Sequence, residues 1–298
     1  MFAELAGLKI AILGGDAREM YLANHLANLG FFVRVYGLPA KAQGNITVHQ
    51  NLTEALEGAQ VVILPTPGIN EQGELYCTFL EKPRVLTEAD LNSLPACTPV
   101  FVGAAGAYLK ALAGRLRLNL IELLNLDEVA ILNSIPSAEG AIQLAMEKLP
   151  ITIHSSESLV LGFGRTGATL AHLLVALGAR TVVIARNSAQ RARAYQINCR
   201  TGDFPELPDL IAKADVVFNT VPALVIDEPL LRRASSQVLI IDLASAPGGV
   251  DFKAARRLGI NAFLAPGLPG KVAPKTAGQI LSQVISRLLA AQMACRPA

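Results

Sequence analysis

The residues best spaced for chemistry lie in the second half of the chain, where Gly162-Phe163-Gly164-Arg165-Thr166-Gly167 forms a complete G-x-G-x-x-G. An apolar stretch, Ser158 to Leu161, precedes it and predicts a strand. Leu170, Leu173, Leu174 and Leu177 follow at helical spacing, Gly178 stops that pattern, and Thr181 to Ala185 predicts a second strand. A strand, a glycine turn, a helix and a second strand make a dinucleotide-binding unit out of an otherwise weak pattern. Gly162 allows the tight turn, Gly164 lets the backbone approach a pyrophosphate, and Gly167 lets helix and strand pack closely. The helix start adds free N–H groups and the positive end of its dipole.

The end of the second strand indicates which dinucleotide. An NAD-binding unit usually carries Asp or Glu there to hold the ribose hydroxyls. This chain has Arg186-Asn187-Ser188, with Arg191 and Arg193 close behind. A guanidinium binds a 2′-phosphate, often through two bonds, where a carboxylate repels it. The expectation is NADP(H). NAD stays open as the alternative, with Arg186 lying along the surface.

Elements that would position these residues are legible along the whole chain. Leu8 to Leu13 predicts a strand ending at Gly14-Gly15-Asp16, a helix follows from Arg18 to Leu29, and Phe32 to Tyr36 is the next strand. This is a second strand–turn–helix–strand unit without the full fingerprint. Asp16 reads either as a helix cap or as a functional acid. Arg18 falls in the first helical turn, where a cation opposes the dipole, and so suggests an anionic partner. Val61 to Leu64 and Pro99 to Val102 are strands ending in Pro65-Thr66-Pro67-Gly68 and Gly103-Ala104-Ala105-Gly106; 68 to 83 reads as an irregular excursion. A short strand from Leu120 to Leu124 completes this sheet. Asn133-Ser134-Ile135-Pro136-Ser137 introduces a helix from Ala138 to Glu147, with Ser134 or Ser137 as its cap.

Beyond the glycine turn, strands are expected at 214–220, 238–243 and 261–264. A final amphipathic helix from Gln279 to Met293 carries Ile280, Val284, Ile285, Leu288 and Leu289 on one side. It is expected to return to the first domain and place Lys275 and Thr276 at an interdomain cleft. The fold class is therefore α/β: two doubly wound parallel-sheet, Rossmann-like domains with a cleft between them. The expected division is 1–133, completed by 277–298, and 134–276.

Composition narrows the setting. Of 298 residues, 52% are apolar and 17% charged, a balance that fits sheets buried on both faces or a large interface between copies. No uncharged apolar run reaches the roughly 18 residues of a membrane helix. The first residues carry an acid where a signal peptide needs bases, so the expected location is cytoplasmic. A formal net charge of +2, scattered along the chain, points away from nucleic acid. Cys77, Cys97, Cys199 and Cys295 are far apart, and His25, His49, His154 and His172 lack ligand spacing, so no metal is expected.

GGDAR, NSIPSAEGAI, GFGRTG, DLASAPGGVDF and APGLPGKVAPKTAGQI occur in this order over nearly the whole chain. Together they resemble the family of dipicolinate synthase A-subunits of spore-forming bacteria. The layout is also similar to alanine and 2-hydroxyacid dehydrogenases, although the His–carboxylate pair of the latter is not evident. The resemblance implies an NADP-dependent dehydrogenation of dihydrodipicolinate, or of its hydroxy-tetrahydro precursor, to dipicolinate. It implies a flavoprotein-like partner, the dipicolinate synthase B-subunit, and action in the mother cell of a sporulating bacterium. A homo-oligomer is expected as well.

Carried onto this chain, the resemblance puts Gly162, Gly164, Arg165, Thr166 and Gly167 at the pyrophosphate. Arg186, Asn187 and Ser188 fall at the ribose phosphate, with Arg191 nearby. Thr220, Val221, Pro222, Leu243, Ala244 and Ser245 fall at the nicotinamide edge. A dicarboxylate substrate needs two anion holders, for which Arg18 and Lys275 are the candidates. Thr66, Ser137, Thr276 and the N–H groups of Gly103 and Gly267 would assist. Lys275 is counted with Glu139 among the catalytic candidates, Glu139 as a proton acceptor tuned by burial. The plainer readings are a solvated lysine and an acid at a helix N-terminus. Asp242 is expected to anchor a neighbouring loop. A coenzyme-binding regulatory protein without turnover of its own, and another NAD(P)-dependent dehydrogenase, are the alternative functions.

Overall fold

The structure, a computed structural model, describes residues 5–294. The chain forms two compact units, one from the residues up to 130 together with those from 273 onward, the other from residues 131–272.

In the first unit the strands are β1 (Lys9–Leu13), β2 (Phe32–Tyr36), β3 (Ile46–His49), β4 (Val61–Ile63), β5 (Glu74–Leu75), β6 (Arg84–Val85), β7 (Pro99–Val102) and β8 (Asn119–Glu122). Six of them make one parallel sheet in the order β3-β2-β1-β4-β7-β8, while β5 and β6 form a small antiparallel hairpin. The central strands are apolar runs because both their faces are covered; Ile10, Ala11, Ile12 and Leu13 are all buried. Leu22, Ala23 and Leu26 of helix Ala17–Asn28 pack on one face. Leu281, Val284, Ile285 and Leu289 of the C-terminal helix join the same core. These two helices run close together: a side chain at Gly278 would meet the Arg18 carbonyl at 2.5 Å.

The second unit repeats the plan with β9 (Glu157–Leu161), β10 (Arg180–Ile184), β11 (Arg200–Gly202), β12 (Val216–Asn219), β13 (Leu239–Asp242) and β14 (Asn261–Leu264). All six pair in parallel, in the order β11-β10-β9-β12-β13-β14. The order reverses beside β9, as it does beside β1 in the first unit. Open α/β sheets place ligands at the carboxyl ends of the strands flanking such a reversal.

Two expectations need correction. The helix expected over 138–147 runs as Asp127–Lys148, with Pro136 inside it. The Asn-Ser-Ile-Pro-Ser stretch has the composition of a loop, yet its hydroxyls bond backward within the helix. Ser134 Oγ donates to the Ile131 carbonyl at 2.6 Å and Ser137 Oγ to the Asn133 carbonyl at 2.7 Å. Ser137 is therefore a mid-helix residue and not a cap. The last helix begins at Pro274, so Lys275 and Thr276 lie in its first turn and not in a preceding loop. Proline's fixed φ suits the first helical position. The short strands β3 and β11 and the β5–β6 hairpin escaped the sequence reading, because too few alternating or consecutive apolar residues mark them.

Candidate functional site

At the end of β9 the chain turns through Gly162 at φ +90° and enters helix Arg165–Ala176 at Gly164. A Cβ on Gly162 would lie 2.6 Å from Thr220 Oγ1, and one on Gly167 only 2.3 Å from the Gly162 carbonyl. Thr220 is held beneath the turn by donating from its hydroxyl to the Leu161 carbonyl at 2.8 Å. Gly164 differs from both: it is exposed, and nothing lies within 4 Å of where its Cβ would be. The N-cap residue is Gly164, which has no side chain with which to cap this helix start. The turn is thus tight below and open above, which fits a pyrophosphate resting on backbone N–H groups.

Beyond β10 the chain presents Arg186, Asn187 and Ser188, all exposed. Asn187 caps helix Ser188–Gln196 by accepting from Ala189 N–H at 2.8 Å. Arg191 Nη1 donates to the carbonyls of Ala185 at 2.7 Å and Arg186 at 3.0 Å, clamping the strand end. The Arg186 guanidinium lies over the Phe204 ring, 5.4 Å from its centroid.

On the other side of β9, a buried network shapes two loops. Asn219, fully buried at the end of β12, donates through Nδ2 to Asp242 Oδ1 at 2.9 Å and to the Val221 carbonyl at 3.1 Å. Its Oδ1 accepts from Val221 N–H at 3.0 Å. Asp242, equally buried at the end of β13, accepts from Ala244 N–H at 3.0 Å and Gly249 N–H at 2.6 Å. One pair of side chains therefore fixes both the 220–222 and the 243–249 segments. Asp242 anchors its loop, as its position suggested.

The matching turn of the first unit is closed. The segment expected to be irregular folds back as the β5–β6 hairpin and covers it. Gly15 N–H donates to the Tyr76 carbonyl at 2.9 Å, and a Cβ on Gly14 would meet the Leu75 side chain at 2.8 Å. Beneath it lies a charged cluster. Asp16 caps helix Ala17–Asn28 and takes Arg18 Nε at 3.0 Å and Nη2 at 2.8 Å. Glu19, 1% exposed, accepts from Asp16 N–H at 2.9 Å, Thr66 N–H at 2.9 Å and Thr66 Oγ1 at 2.8 Å.

Burial pushes the Glu19 carboxyl above its ordinary value, against the opposing charge of Arg18. For Asp16 burial acts upward too, but the hydrogen bonds from Arg18 outweigh it and hold the group below its ordinary value. Burial pulls the Arg18 guanidinium down, and the bond to Asp16 with the charges of Glu19 and Asp16 more than restores it.

The candidates for substrate binding fall into two sets. Arg18, Thr66 and Gly103 come together in the first unit: Thr66 bonds the neighbour of Arg18, and a Cβ on Gly103 would overlap the Thr66 carbonyl at 1.9 Å. Lys275 and Thr276 are exposed one turn before Gly278, which touches the Arg18 backbone. Ser137, Glu139 and Gly267 belong to the second unit. Gly267 is exposed, at φ +68°, with nothing within 4 Å of its Cβ position.

Glu139 corrects both readings offered for it. It is exposed and in the middle of helix Asp127–Lys148, neither buried nor at a helix N-terminus. It borders a largely apolar groove with Ile142, Met146, Leu173 and Leu177.

Glu19, Phe204 and Asn219 were missed. Asp16-x-x-Glu19 is a capping-box spacing legible in sequence. Asn219 ends an apolar strand as the polar residue beside a predicted turn. Phe204 carries no local signal, because its importance comes from a neighbouring strand. Among the described residues no group of three or more His, Cys, Asp or Glu side chains is placed to hold a metal ion. No helix among them is long and apolar enough to cross a membrane.

Known proteins share this arrangement. The family of dipicolinate synthase A-subunit N-terminal domains matches residues 9–124, and the shikimate/quinate 5-dehydrogenase family matches residues 143–263. The dipicolinate synthase A-subunit of Bacillus subtilis is 40% identical over 288 residues, 96% of this chain and 97% of the relative. The crystal structure of the Bacillus halodurans A-subunit superposes with a TM-score of 0.90 at 35% identity, covering 98% of this chain and 99% of that one. That of the Bacillus subtilis protein gives 0.88 at 39% identity, with 98% of each chain covered. Two dehydrogenase-type parallel sheets, one open glycine turn and similarity along nearly the full length lead to one assignment: the chain belongs to the family of dipicolinate synthase A-subunits.

Proposed function

We propose that the chain is the NADP-dependent oxidoreductase component of a dipicolinate synthase. It dehydrogenates dihydrodipicolinate, or the hydroxy-tetrahydro precursor, to dipicolinate. It works with the flavoprotein-like B-subunit in the mother-cell cytoplasm of a sporulating bacterium. Membership of the family and a dehydrogenase fold support an oxidoreductase role with a nicotinamide coenzyme. The observation that carries the finer reading is the contrast between the two turns. Gly14 and Gly15 are buried under the chain's own hairpin, whereas Gly164 is open.

In this reading the backbone of Gly162 to Gly167 holds the pyrophosphate and Arg186 and Arg191 hold the 2′-phosphate. The segments 220–222 and 243–245 flank the nicotinamide. When bound, the coenzyme supplies the hydride acceptor. The chain's own part is to orient the ring, exclude water and neutralise two carboxylates. Arg18 has given Nε and Nη2 to Asp16, so Nη1 is the donor proposed for one carboxylate. Lys275 and Thr276 are proposed for the other. The dihydro substrate loses a hydride and a proton on becoming aromatic; the hydroxy-tetrahydro form also loses water.

The exposure of Glu139 favours a second reading, in which this chain binds coenzyme and has no turnover alone, the base coming from the B-subunit. Two measurements test these readings. Purified chain should bind NADPH more tightly than NADH, and Arg186→Ala should narrow the gap; equal affinities before and after substitution remove the NADP reading. Dipicolinate absorbance should develop with substrate and NADP. Its appearance with this chain alone excludes the second reading.

A further inference from the structure

We infer that Phe204 is a positioning residue for coenzyme selectivity: the Arg186 guanidinium rests over its ring, which leaves the N–H edge for a 2′-phosphate. The inference rests on the NADP reading and adds to it a residue from a different strand.

Register brings the pair together. Ile184 of β10 pairs with Gly202 of β11. Arg186 and Phe204 each lie two residues beyond that pair, at the same carboxyl edge. The Ala185 N–H donates to the Gly202 carbonyl at 3.2 Å, which carries the pairing one step further. Phe204 is half-buried and packs against the apolar cluster containing Ile184, Leu207 and Ile211. Its turn is pinned by a reciprocal cap, in which the Asp203 and Glu206 side chains each accept from the other's backbone N–H. The ring is therefore a fixed surface. Arg186 by contrast is exposed, and a long cationic side chain loses rotamer freedom when it is immobilised.

At 5.4 Å from the ring centroid the guanidinium is within cation–π range. Phe204 has no polar atom, so stacking consumes no N–H of the arginine. Bidentate bonding to a phosphate uses that edge. Arg191, holding the carbonyls of Ala185 and Arg186, fixes the backbone from which the side chain springs. Backbone and side chain of Arg186 are thus both restrained before any ligand arrives. A neutral ribose hydroxyl gains little from this arrangement, whereas a dianionic phosphate gains directly.

The test is a set of dissociation constants for the full-length chain with NADPH, NADH and 2′,5′-ADP. Phe204→Leu should weaken NADPH and 2′,5′-ADP by about two- to five-fold, the usual size of an exposed cation–π contact, and leave NADH unchanged. Phe204→Tyr should restore wild-type values. In an Arg186→Ala background, Phe204→Leu should have no further effect. Equal weakening of NADH and NADPH would mean general disruption and overturns the inference, as would an effect that persists without Arg186. Should wild type prefer NADPH, Arg186→Ala abolish the preference and Phe204→Leu keep it at its full wild-type size, the NADP reading stands and this inference alone falls. Should wild type show no preference, both fall.

Discussion

Gly164 and Gly167 belong to one motif but answer opposite demands. Gly167 sits where a methyl group would strike the Gly162 carbonyl at 2.3 Å, and Gly164 where a methyl group would meet nothing. Gly167→Ala should therefore cost stability, about 1–3 kcal/mol as for other overpacked sites. Gly164→Ala should melt with wild type yet weaken NADPH at least ten-fold, because the methyl occupies the space proposed for the pyrophosphate. Thermal melts and coenzyme titrations of both variants check this; unchanged affinity in Gly164→Ala would place the coenzyme elsewhere. Glu19 gives a prediction in pH. Its native value lies above the ordinary 4.5, so the folded state binds its proton more tightly than the unfolded state does. Its contribution to stability is full below 4.5 and is lost as pH rises through the native value. Glu19→Gln should remove that decline, so stability against pH above 4.5 should be flatter in the variant, as urea titrations at several pH values would show. The paired effect of Asp16 runs the other way, present above its ordinary 3.8 and lost as pH falls through its lower native value.

At the scale of elements, the two halves use one plan for different ends. The turn after β1 is filled by the 68–83 excursion, and the turn after β9 is not. The G-x-G-x-x-G announced the open turn because Gly162, at positive φ, and Gly167, against the Gly162 carbonyl, meet local backbone demands. No such signal announced the plug, since it depends on a distant segment folding back. Around the open turn, Asn219 and Asp242 tie together the ends of β12 and β13. Asp242→Asn should cost about 1–3 kcal/mol, because an amide facing the Gly249 N–H strands a buried donor. It should also loosen the 243–249 segment, read as faster amide exchange there than in β9 and β10. Arg186 was legible from its place after a strand, whereas Phe204 became relevant only when β11 paired with β10.

At the scale of the molecule, the C-terminal helix is part of the first unit's core although it is last in sequence. Leu281, Val284, Ile285 and Leu289 are each at most 3% exposed. At about 1.5–3 kcal/mol per buried aliphatic side chain, their removal would forfeit as much as a domain's whole net stability. A chain ending at Val272 should therefore lose protection from hydrogen exchange across β1 to β8. Residues 131–272 should keep theirs, together with NADPH binding; equal loss in the two units would refute independent cores.

The order of apolar runs and glycine turns by itself determined two parallel-sheet units and the position of the glycine turn after β9, because strand burial and tight turns are local demands on residue type. Only the tertiary structure decided that one turn is stopped and the other open, that the Asn133–Ser137 stretch stays helical, that Glu139 is exposed, and that Phe204 meets Arg186. The closed turn and the Phe204–Arg186 contact depend on residues far apart in sequence occupying the same space, and no local pattern of residue types records such a meeting.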